Sequence, residues 1–457
     1  MRRDLPFEEI SPWVQVPEDR CEALDGDRAA DVVVIGAGYT GLSTALSLRA
    51  EGADVAVLEQ DFAGAGASGR NAGHLTPTIG KDLPTLLRLF GRERAAALVR
   101  FADQAVEFTE ALIEKHGIAC DYVPSGNVLA AVHEKHERRL RRAADTAADL
   151  GGQVRFLSAA EMRERGLPAS FHCGVLEERG GTLDPGRYVM GLRRAARDAG
   201  VRLFEGTRVL ELSDTARVRV RSDRGSVTAD VAVLATNAYT PALGWKRATV
   251  MPLRVALFET EPLDASQRAA LGWRGREGIY TSHELLESYR LTAHGTLVGG
   301  AKVVRNAWGG ALPRAYDPGA FRILERAFRE RFPELGELPV RRFWGGWIGL
   351  TLDFLPVLGA AGSHHNVHYG IGYAGHGVAQ ATLMGAMLAD RIRGREHSCE
   401  AALARSERSW PPEPVRWLAS RLLNRALSII DARTDRQVRR RQRRALRGPP
   451  RELTSLP

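Results

Sequence analysis

Residues 31–59 read DVVVIGAGYTGLSTALSLRAEGADVAVLE, and they carry the clearest structural pattern of the chain. It begins with an apolar, β-branched run, which is typical of a strand buried on both faces of a parallel sheet. The spaced glycines Gly36, Gly38 and Gly41 come next, followed by a helical segment and a second buried strand. A strand, a glycine loop, a helix and a strand within about 30 residues form a βαβ unit.

The glycine spacing matches G-x-G-x-x-G in the strand-to-helix context that a nucleotide site requires. Gly36 permits a tight turn, Gly38 lets the backbone approach a pyrophosphate, and Gly41 allows close packing of helix on strand. Glu59 ends the second strand, where a carboxylate accepts hydrogen bonds from a ribose hydroxyl. This acid favours FAD or NAD over NADP, because it would repel a 2′-phosphate. A glycine turn without a ligand is the alternative.

A second glycine-rich stretch follows in residues 67–74, ASGRNAGH. It combines small residues, hydrogen-bonding groups and one cation. Such a loop is suited to pass close to a diphosphate and an isoalloxazine ring, which favours FAD over NAD. A solvated surface loop is the alternative.

Composition and charge exclude some classes of binding partner and site. The 457 residues carry a formal net charge of +9, but residues 432–451 alone hold nine Arg and one Asp. The rest of the chain is therefore nearly neutral, and no nucleic-acid partner is expected. Four cysteines without a C-x-x-C pair predict reduced thiols and no metal site. Acidic residues at positions 4, 8 and 9 argue against a signal peptide, so we expect a cytoplasmic protein.

The order of predicted elements indicates an α/β protein: a Rossmann-type FAD-binding domain with a discontinuous α+β substrate domain built on an antiparallel sheet. The expected FAD-binding segments are 28–90, 183–242 and 342–396. The expected substrate-domain segments are 91–182 and 243–341. Residues 397–457 are expected to form a C-terminal helix and a basic tail.

Several separated blocks resemble the D-amino-acid-oxidase-like family of FAD-dependent oxidoreductases, and most of all its γ-glutamylputrescine oxidase branch. The blocks are the glycine loop with Glu59, residues 68–73, 182–188, 231–239, 344–359 and 372–378. The resemblance implies FAD in an extended pose, with the helix that starts at Gly375 pointing to the pyrimidine end of the flavin. The implied cofactor-binding residues are Gly36, Ala37, Gly38, Tyr39, Thr40, Gly41, Glu59, Gln60, Ser68, Gly69, Arg70, Asn71, Gly73, Val209, Thr236, Gly346, Gly375, His376, Gly377 and Val378.

The resemblance also implies oxidation of a C–N bond by hydride transfer to flavin N5, followed by hydrolysis of the imine. The final electron acceptor is O2 or another acceptor, so oxidase and dehydrogenase both remain open. His74, Tyr289, Trp347 and Tyr373 are the candidate catalytic residues. His74 stands where the branch usually has glutamine, and its role as a polar neighbour, a direct participant or a covalent link is left open. For the aromatic residues, core packing is an equally good interpretation.

Two departures from the family bear on the substrate. Relatives that act on amino acids have an arginine after W-x-G-L, where this chain has Thr351, and sarcosine-oxidase-like relatives have a lysine after G-H-G-x, where it has Ala379. Both carboxylate anchors are therefore missing, which predicts a primary or secondary amine, such as a polyamine derivative. Arg290 or Arg305 would be a replacement anchor. The alternatives are a glycine, sarcosine or D-amino-acid oxidase or dehydrogenase, and an NAD-linked dehydrogenase.

The C-terminal region has apolar residues at helical spacing in 415–430, followed by the basic run. One interpretation is an amphipathic helix that contacts an anionic membrane or nucleic acid. The other, which we favour at this point, is a helix packed on the body with a solvated end.

Overall fold

The computed structural model describes residues 6–80, 82–313 and 317–446, with side chains through Arg440. Its strands are β1 (Arg28–Ile35), β2 (Val55–Leu58), β3 (His74–Leu75), β4 (Asn127–Ala131), β5 (Val154–Leu157), β6 (Cys173–Glu177), β7 (Gly181–Thr182), β8 (Arg202–Phe204), β9 (Val209–Ser213), β10 (Val218–Ser222), β11 (Ser226–Leu234), β12 (Met251–Thr260), β13 (Gly278–Thr281), β14 (Glu287–Leu291), β15 (Leu297–Arg305), β16 (Val340–Leu350), β17 (Val357–Ala361) and β18 (Val367–Ile371). Its α-helices are α1 (Tyr39–Arg49), α2 (Leu83–Lys115), α3 (Glu137–Asp149), α4 (Ala159–Glu164), α5 (Pro185–Asp198), α6 (Ala265–Leu271), α7 (Pro318–Arg331), α8 (Gly377–Ile392), α9 (Glu400–Leu403) and α10 (Val415–Leu446).

Two eight-stranded sheets organise the described chain. The first has the order β17-β18-β11-β1-β2-β8, with the β9–β10 hairpin attached to β11. From β18 to β8 its strands are parallel, as the apolar β1 sequence predicts. The second sheet has the order β16-β12-β15-β14-β13-β4-β6-β5 and is antiparallel except where β13 pairs with β4. The predicted fold class is confirmed.

Helices α1 and α8 lie side by side on the first sheet, and small residues let them approach closely. Ser43 Oγ donates to the Thr382 carbonyl at 2.7 Å. A side chain at Gly385 would come within 2.6 Å of Ser43. The α1 residues are almost all buried, because this helix is enclosed by the sheet, α5 and α8. This packing fixes where both helices begin.

Sheet membership places two domain boundaries differently from the sequence prediction. We expected residues from 342 onward in the FAD-binding domain, but β16 pairs with β12 along its whole length in the second sheet. We expected residues 91–115 in the substrate domain, but α2 packs against α8 in the core of the first. Both differences have one cause: which strand or helix packs against an element distant in sequence depends on the tertiary structure. The division into domains remains a proposal.

Helix α10 is longer than the predicted 415–430 segment, and its C-terminal half is anchored by a buried network of charges on the second sheet. The Asp435 carboxylate lies 3.1 Å from Lys302 Nζ and 3.2 Å from both Arg331 Nη2 and His283 Nε2. Glu287 also forms ion pairs with Lys302 and Arg331. His283, Glu287 and Asp435 have the geometry of a metal-ligand set, but these ion pairs already neutralise the carboxylates. The basic tail beyond Leu446 lies outside the described residues.

In the part of the chain that the structure describes, no helix combines the length and apolarity needed to cross a membrane.

Candidate active site

The glycine loop between β1 and α1 is tight because two of its glycines leave no room for a side chain. Gly36 has a φ of +102°, and a Cβ there would lie 2.9 Å from the Ala235 carbonyl oxygen. A Cβ at Gly41 would overlap the Gly36 carbonyl oxygen. Thr236 also lies beside this turn, because a Cβ at Gly36 would be 3.5 Å from its methyl group. The loop therefore presents bare backbone at the N-terminus of α1, as phosphate binding requires.

Glu59 lies against this loop. Its carboxylate accepts hydrogen bonds from the Ala37 N–H at 2.9 Å and the Asp61 N–H at 3.1 Å. Burial raises the pKa of this carboxyl to about 6, although both hydrogen bonds act in the opposite direction. The carboxylate keeps acceptor capacity for a ribose hydroxyl. The Glu59 carbonyl accepts a hydrogen bond from the Thr207 N–H. Val209, two residues after Thr207, begins β9 and therefore lies near Glu59. Gln60 is exposed.

The predicted flavin loop, residues 68–73, closes onto the glycine loop. Ser68 Oγ accepts from the Tyr39 N–H at 3.0 Å. Asn71 stabilises the turn internally, because its Nδ2 donates to the Ser68 carbonyl at 2.8 Å and its Oδ1 accepts from the Gly73 N–H at 2.8 Å. The carbonyl of Gly73 accepts from the Leu183 N–H, so the 182–188 block lies directly behind this loop.

Arg70 joins this loop to the second sheet. Its guanidinium donates to the carbonyls of Glu9 at 2.7 Å and Gly345 at 3.1 Å. In return, Trp344 Nε1 donates to the Arg70 carbonyl at 2.9 Å. A Cβ at Gly346 would lie 3.4 Å from Arg70, so Gly346 faces the loop. Arg70 therefore acts here through its contacts with backbone carbonyls, which hold the loop in place.

The C-terminal glycine block meets the glycine loop. Tyr373 Oη lies 2.6 Å from Thr40 Oγ1, in the first turn of α1, and donates to the Gly370 carbonyl at 2.9 Å. Gly372 and Gly375 have φ values of +85° and +91°, which permit the sharp turn into α8. The beginnings of α1 and α8 are thus neighbours. Tyr373 is a buried link between them.

Several buried polar atoms near these turns have no partner among the described residues: His376 Nδ1, Gln380 Oε1, His74 Nε2 and Arg290 Nη2. Unpaired buried polar atoms are costly, so these four groups are suited to contact a polar ligand. Burial lowers the pKa of His376 to about 4, which leaves its ring neutral. The bare glycine loop, the carboxylate of Glu59 and these unpaired groups fit an extended dinucleotide such as FAD.

His74 is held in one orientation by Asn127. The Asn127 Nδ2 donates to the Leu75 carbonyl at 2.9 Å, so its Oδ1 must be the acceptor for His74 Nδ1 at 3.1 Å. This assignment puts the proton of the neutral ring on Nδ1 and leaves Nε2 as an acceptor. Burial lowers the pKa of His74 to about 4. The ring is therefore a neutral hydrogen-bond acceptor at physiological pH.

Two predicted catalytic aromatics are not brought to this loop. Tyr289 packs against Phe332, with ring centroids 4.9 Å apart, in the core between the second sheet and α7. Trp347 stands between Gly346 and Ile348, which face Arg70 and Gly375. Side chains alternate along a strand, so Trp347 points to the opposite face. Sequence alone does not reveal which face of a strand is turned towards the loop.

Arg290, the neighbour of Tyr289, is the residue of β14 that reaches the loop. Its Nε donates to the Ala72 carbonyl, and its guanidinium lies 4.8 Å from the centre of the Trp13 ring. Its Nη2 is buried without a hydrogen-bond partner among the described residues, and burial lowers its pKa to about 10. An unpaired buried cation beside the flavin loop is suited to an anionic group.

Two contributors to the site lie outside every motif of the sequence. Asn127, which orients His74, is the first residue of β4 and belongs to no motif. The segment before β1 packs on the loop: Ser11 Oγ donates to the Gly69 carbonyl, and a Cβ at Gly69 would lie 2.8 Å from Val14. Neither position carries a pattern that would identify it.

Known proteins resemble this chain over most of its length. Residues 31–391 match the family model described as "DAO: FAD dependent oxidoreductase". The chain is 31% identical over 380 residues to the γ-glutamylputrescine oxidoreductase of Escherichia coli (strain K12), covering 82% of this chain and 86% of that protein. It is 25% identical over 379 residues to a glycine oxidase of Bacillus licheniformis, covering 80% and 93%.

Solved structures share the fold. Glycine oxidase from Geobacillus kaustophilus superposes with a TM-score of 0.70 at 21% identity, covering 83% of this chain and 99% of that structure. Because the match to the family model spans most of the sequence and includes both glycine blocks, FAD is the cofactor and the chain belongs to the DAO family of FAD-dependent oxidoreductases.

Proposed function

We propose that this enzyme oxidises the C–N bond of a primary or secondary amine, with a polyamine derivative as its substrate class. The observation that carries the proposal is the environment of the two missing anchors. Thr351 Oγ1 donates to the Leu355 carbonyl at 2.8 Å inside a turn, and Ala379 is buried in the first turn of α8. Neither position offers a cation to a substrate carboxylate. The similarity to a γ-glutamylputrescine oxidoreductase supports the same class.

The proposed division of labour follows from the site. The glycine loop, Glu59, residues 68–73 and the start of α8 would hold FAD, which when bound accepts the hydride from the carbon next to nitrogen. The start of α8 offers a positive dipole end to developing negative charge. His74 Nε2 offers a hydrogen-bond acceptor, but the lowered pKa of this ring, about 4, makes it too weak a base to take the proton of an ammonium group. The amine would therefore have to lose its proton to water or arrive neutral, and the imine would hydrolyse afterwards.

A second candidate is a free amino acid, and Arg290 favours it. Its guanidinium offers a substrate carboxylate the kind of contact that relatives obtain from an arginine at the position of Thr351. Arg305, the other replacement suggested by the sequence, is exposed and already paired with Asp317 at 2.9 Å.

An anaerobic bleaching screen separates the candidates. We expect the yellow holoenzyme to bleach with γ-glutamylputrescine and with simple polyamines, and to remain coloured with glycine, sarcosine and D-alanine. The reverse pattern would refute the proposal. In that case Arg290→Gln should raise KM for the amino acid, whereas Arg305→Gln should not. Admission of air after bleaching then tells oxidase from dehydrogenase by the rate at which colour returns.

A cytoplasmic site of action is part of the proposal. All four cysteines are free thiols, and three of them are buried.

A further inference from the structure

Helix α10 carries a row of large apolar side chains that nothing described in the chain covers. Leu422 and Leu423 are 60% and 58% exposed, values that are unusual for leucine on a packed helix. The other members of this apolar face are Val415, Leu418, Ile429 and Ile430.

The opposite side of the same helix holds it to the body. The Asp431 carboxylate accepts from the Glu284 N–H at 3.0 Å and the Leu285 N–H at 2.9 Å, and Asp435 enters the buried charge network. At about 100° per residue, Asp431 and Asp435 lie on the side of α10 opposite Leu422. The helix is thus anchored by its polar side and presents its apolar side to solvent.

The charges on the helix are sorted in the same way. Asp431 and Asp435 are the only acidic residues in 415–446, and both face the body. The exposed charged side chains of the helix, within the described side chains, are arginines, among them Arg421, Arg425 and Arg433. The sequence after Arg440 adds further arginines. The outer surface is therefore apolar and cationic.

We propose that the apolar face of α10 binds the surface of an anionic lipid membrane, with the helix lying in the plane of the interface. An apolar stripe flanked by arginines is the pattern of such helices, because apolar groups enter the acyl boundary while cations pair with phosphates. A second copy of the chain is a poorer occupant, since it would bring arginines against arginines. The proposal concerns attachment and does not depend on the substrate.

The test is flotation of the FAD-loaded full chain with vesicles. We expect binding to vesicles of phosphatidylglycerol and phosphatidylcholine, none to phosphatidylcholine alone, and weakening at high salt. Leu422→Ser with Ile429→Ser should weaken binding at least about tenfold. Arg421→Gln with Arg425→Gln should weaken it by about 25-fold. Leu210→Ser, which removes an exposed leucine on β9, is the matched control and should bind like the parent chain.

Three results would overturn the proposal. They are no binding to anionic vesicles, equal binding by the Leu422→Ser/Ile429→Ser variant, and a dimer in sedimentation velocity that this variant loses without any vesicle binding. Since the substituted residues are exposed, retained FAD absorbance and an unchanged Tm would confirm that the variants are folded.

Discussion

Gly41 illustrates how much of the site depends on the absence of a single methyl group. A Cβ there would overlap the Gly36 carbonyl oxygen, which belongs to the backbone and cannot rotate away. We predict that Gly41→Ala distorts the loop and weakens FAD binding about tenfold or more. The measurement is the ratio of flavin to protein absorbance after dialysis.

Gly319→Ala is the control for that substitution. A Cβ at Gly319 would meet the Asp317 side chain at 3.3 Å, far in sequence from the glycine loop. Full flavin content is expected for this variant. If Gly41→Ala also kept its flavin, the steric account of the loop would be wrong.

His74 makes a prediction about acid stability. Its pKa is lowered from an ordinary value of 6.5 to about 4 in the folded protein, mainly by burial. Folding therefore favours the neutral ring. The resulting contribution to the free energy of unfolding is complete above pH 6.5 and decreases as the pH falls towards 4. Between pH 7.5 and 5 the loss from this group is about 2 kcal/mol.

The measurement is urea unfolding of the holoenzyme at both pH values. His74→Gln should lose about 2 kcal/mol less than the parent protein between them, because glutamine does not titrate. His294→Gln, at an exposed turn position, should behave like the parent. Equal losses in the parent and His74→Gln would contradict the assignment of a neutral buried ring.

At the scale of elements, the attachment of α10 depends on Asp435. This carboxylate is nearly buried and contacts Lys302, Arg331 and His283, which lower its pKa. Removing one partner from a buried charge network leaves the remaining cations short of a counter-charge. We predict that Asp435→Asn lowers the free energy of unfolding by about 3 kcal/mol and makes α10 sensitive to limited proteolysis.

Asp230→Asn provides the matched control, because Asp230 pairs with Arg217 at 3.0 Å in a fully solvated setting. Water screens that pair, so almost no change in stability is expected. Rapid cleavage of α10 in the Asp230 variant, or resistance in the Asp435 variant, would show that the network does not anchor the helix.

At the scale of the whole molecule, FAD should connect segments that are distant in sequence. The glycine loop, the flavin loop and the start of α8 lie more than 300 residues apart at the extremes, yet Thr40 contacts Tyr373. We predict that FAD at about 100 times its Kd stabilises the protein by about 2.7 kcal/mol. Hydrogen exchange should show slower exchange in residues 36–41, 68–80 and 372–380 together on FAD binding. Protection confined to one of these segments would contradict a shared site.

The sequence by itself determined the local parts of this protein. Residues 31–59 specify a βαβ unit because the apolar run, the glycine spacing and the terminal carboxylate all lie within one continuous segment. The observed β1 (Arg28–Ile35), α1 (Tyr39–Arg49) and β2 (Val55–Leu58) follow one another in the order that this segment predicts. The same holds for the sharp turn before α8, where glycine is required by positive φ. These features depend on backbone conformation, which neighbouring residues control.

Only the tertiary structure decided which side chains meet. It turned Arg290 rather than Tyr289 towards the flavin loop, joined Asn127 to His74, and assigned β16 to the second sheet. It also set Asp431 and Asp435 inward, so that the apolar side of α10 faces outward. The sequence specifies which side chains share one face of a strand or helix. Which of these faces is buried depends on the element that packs against it, and that element lies elsewhere in the chain.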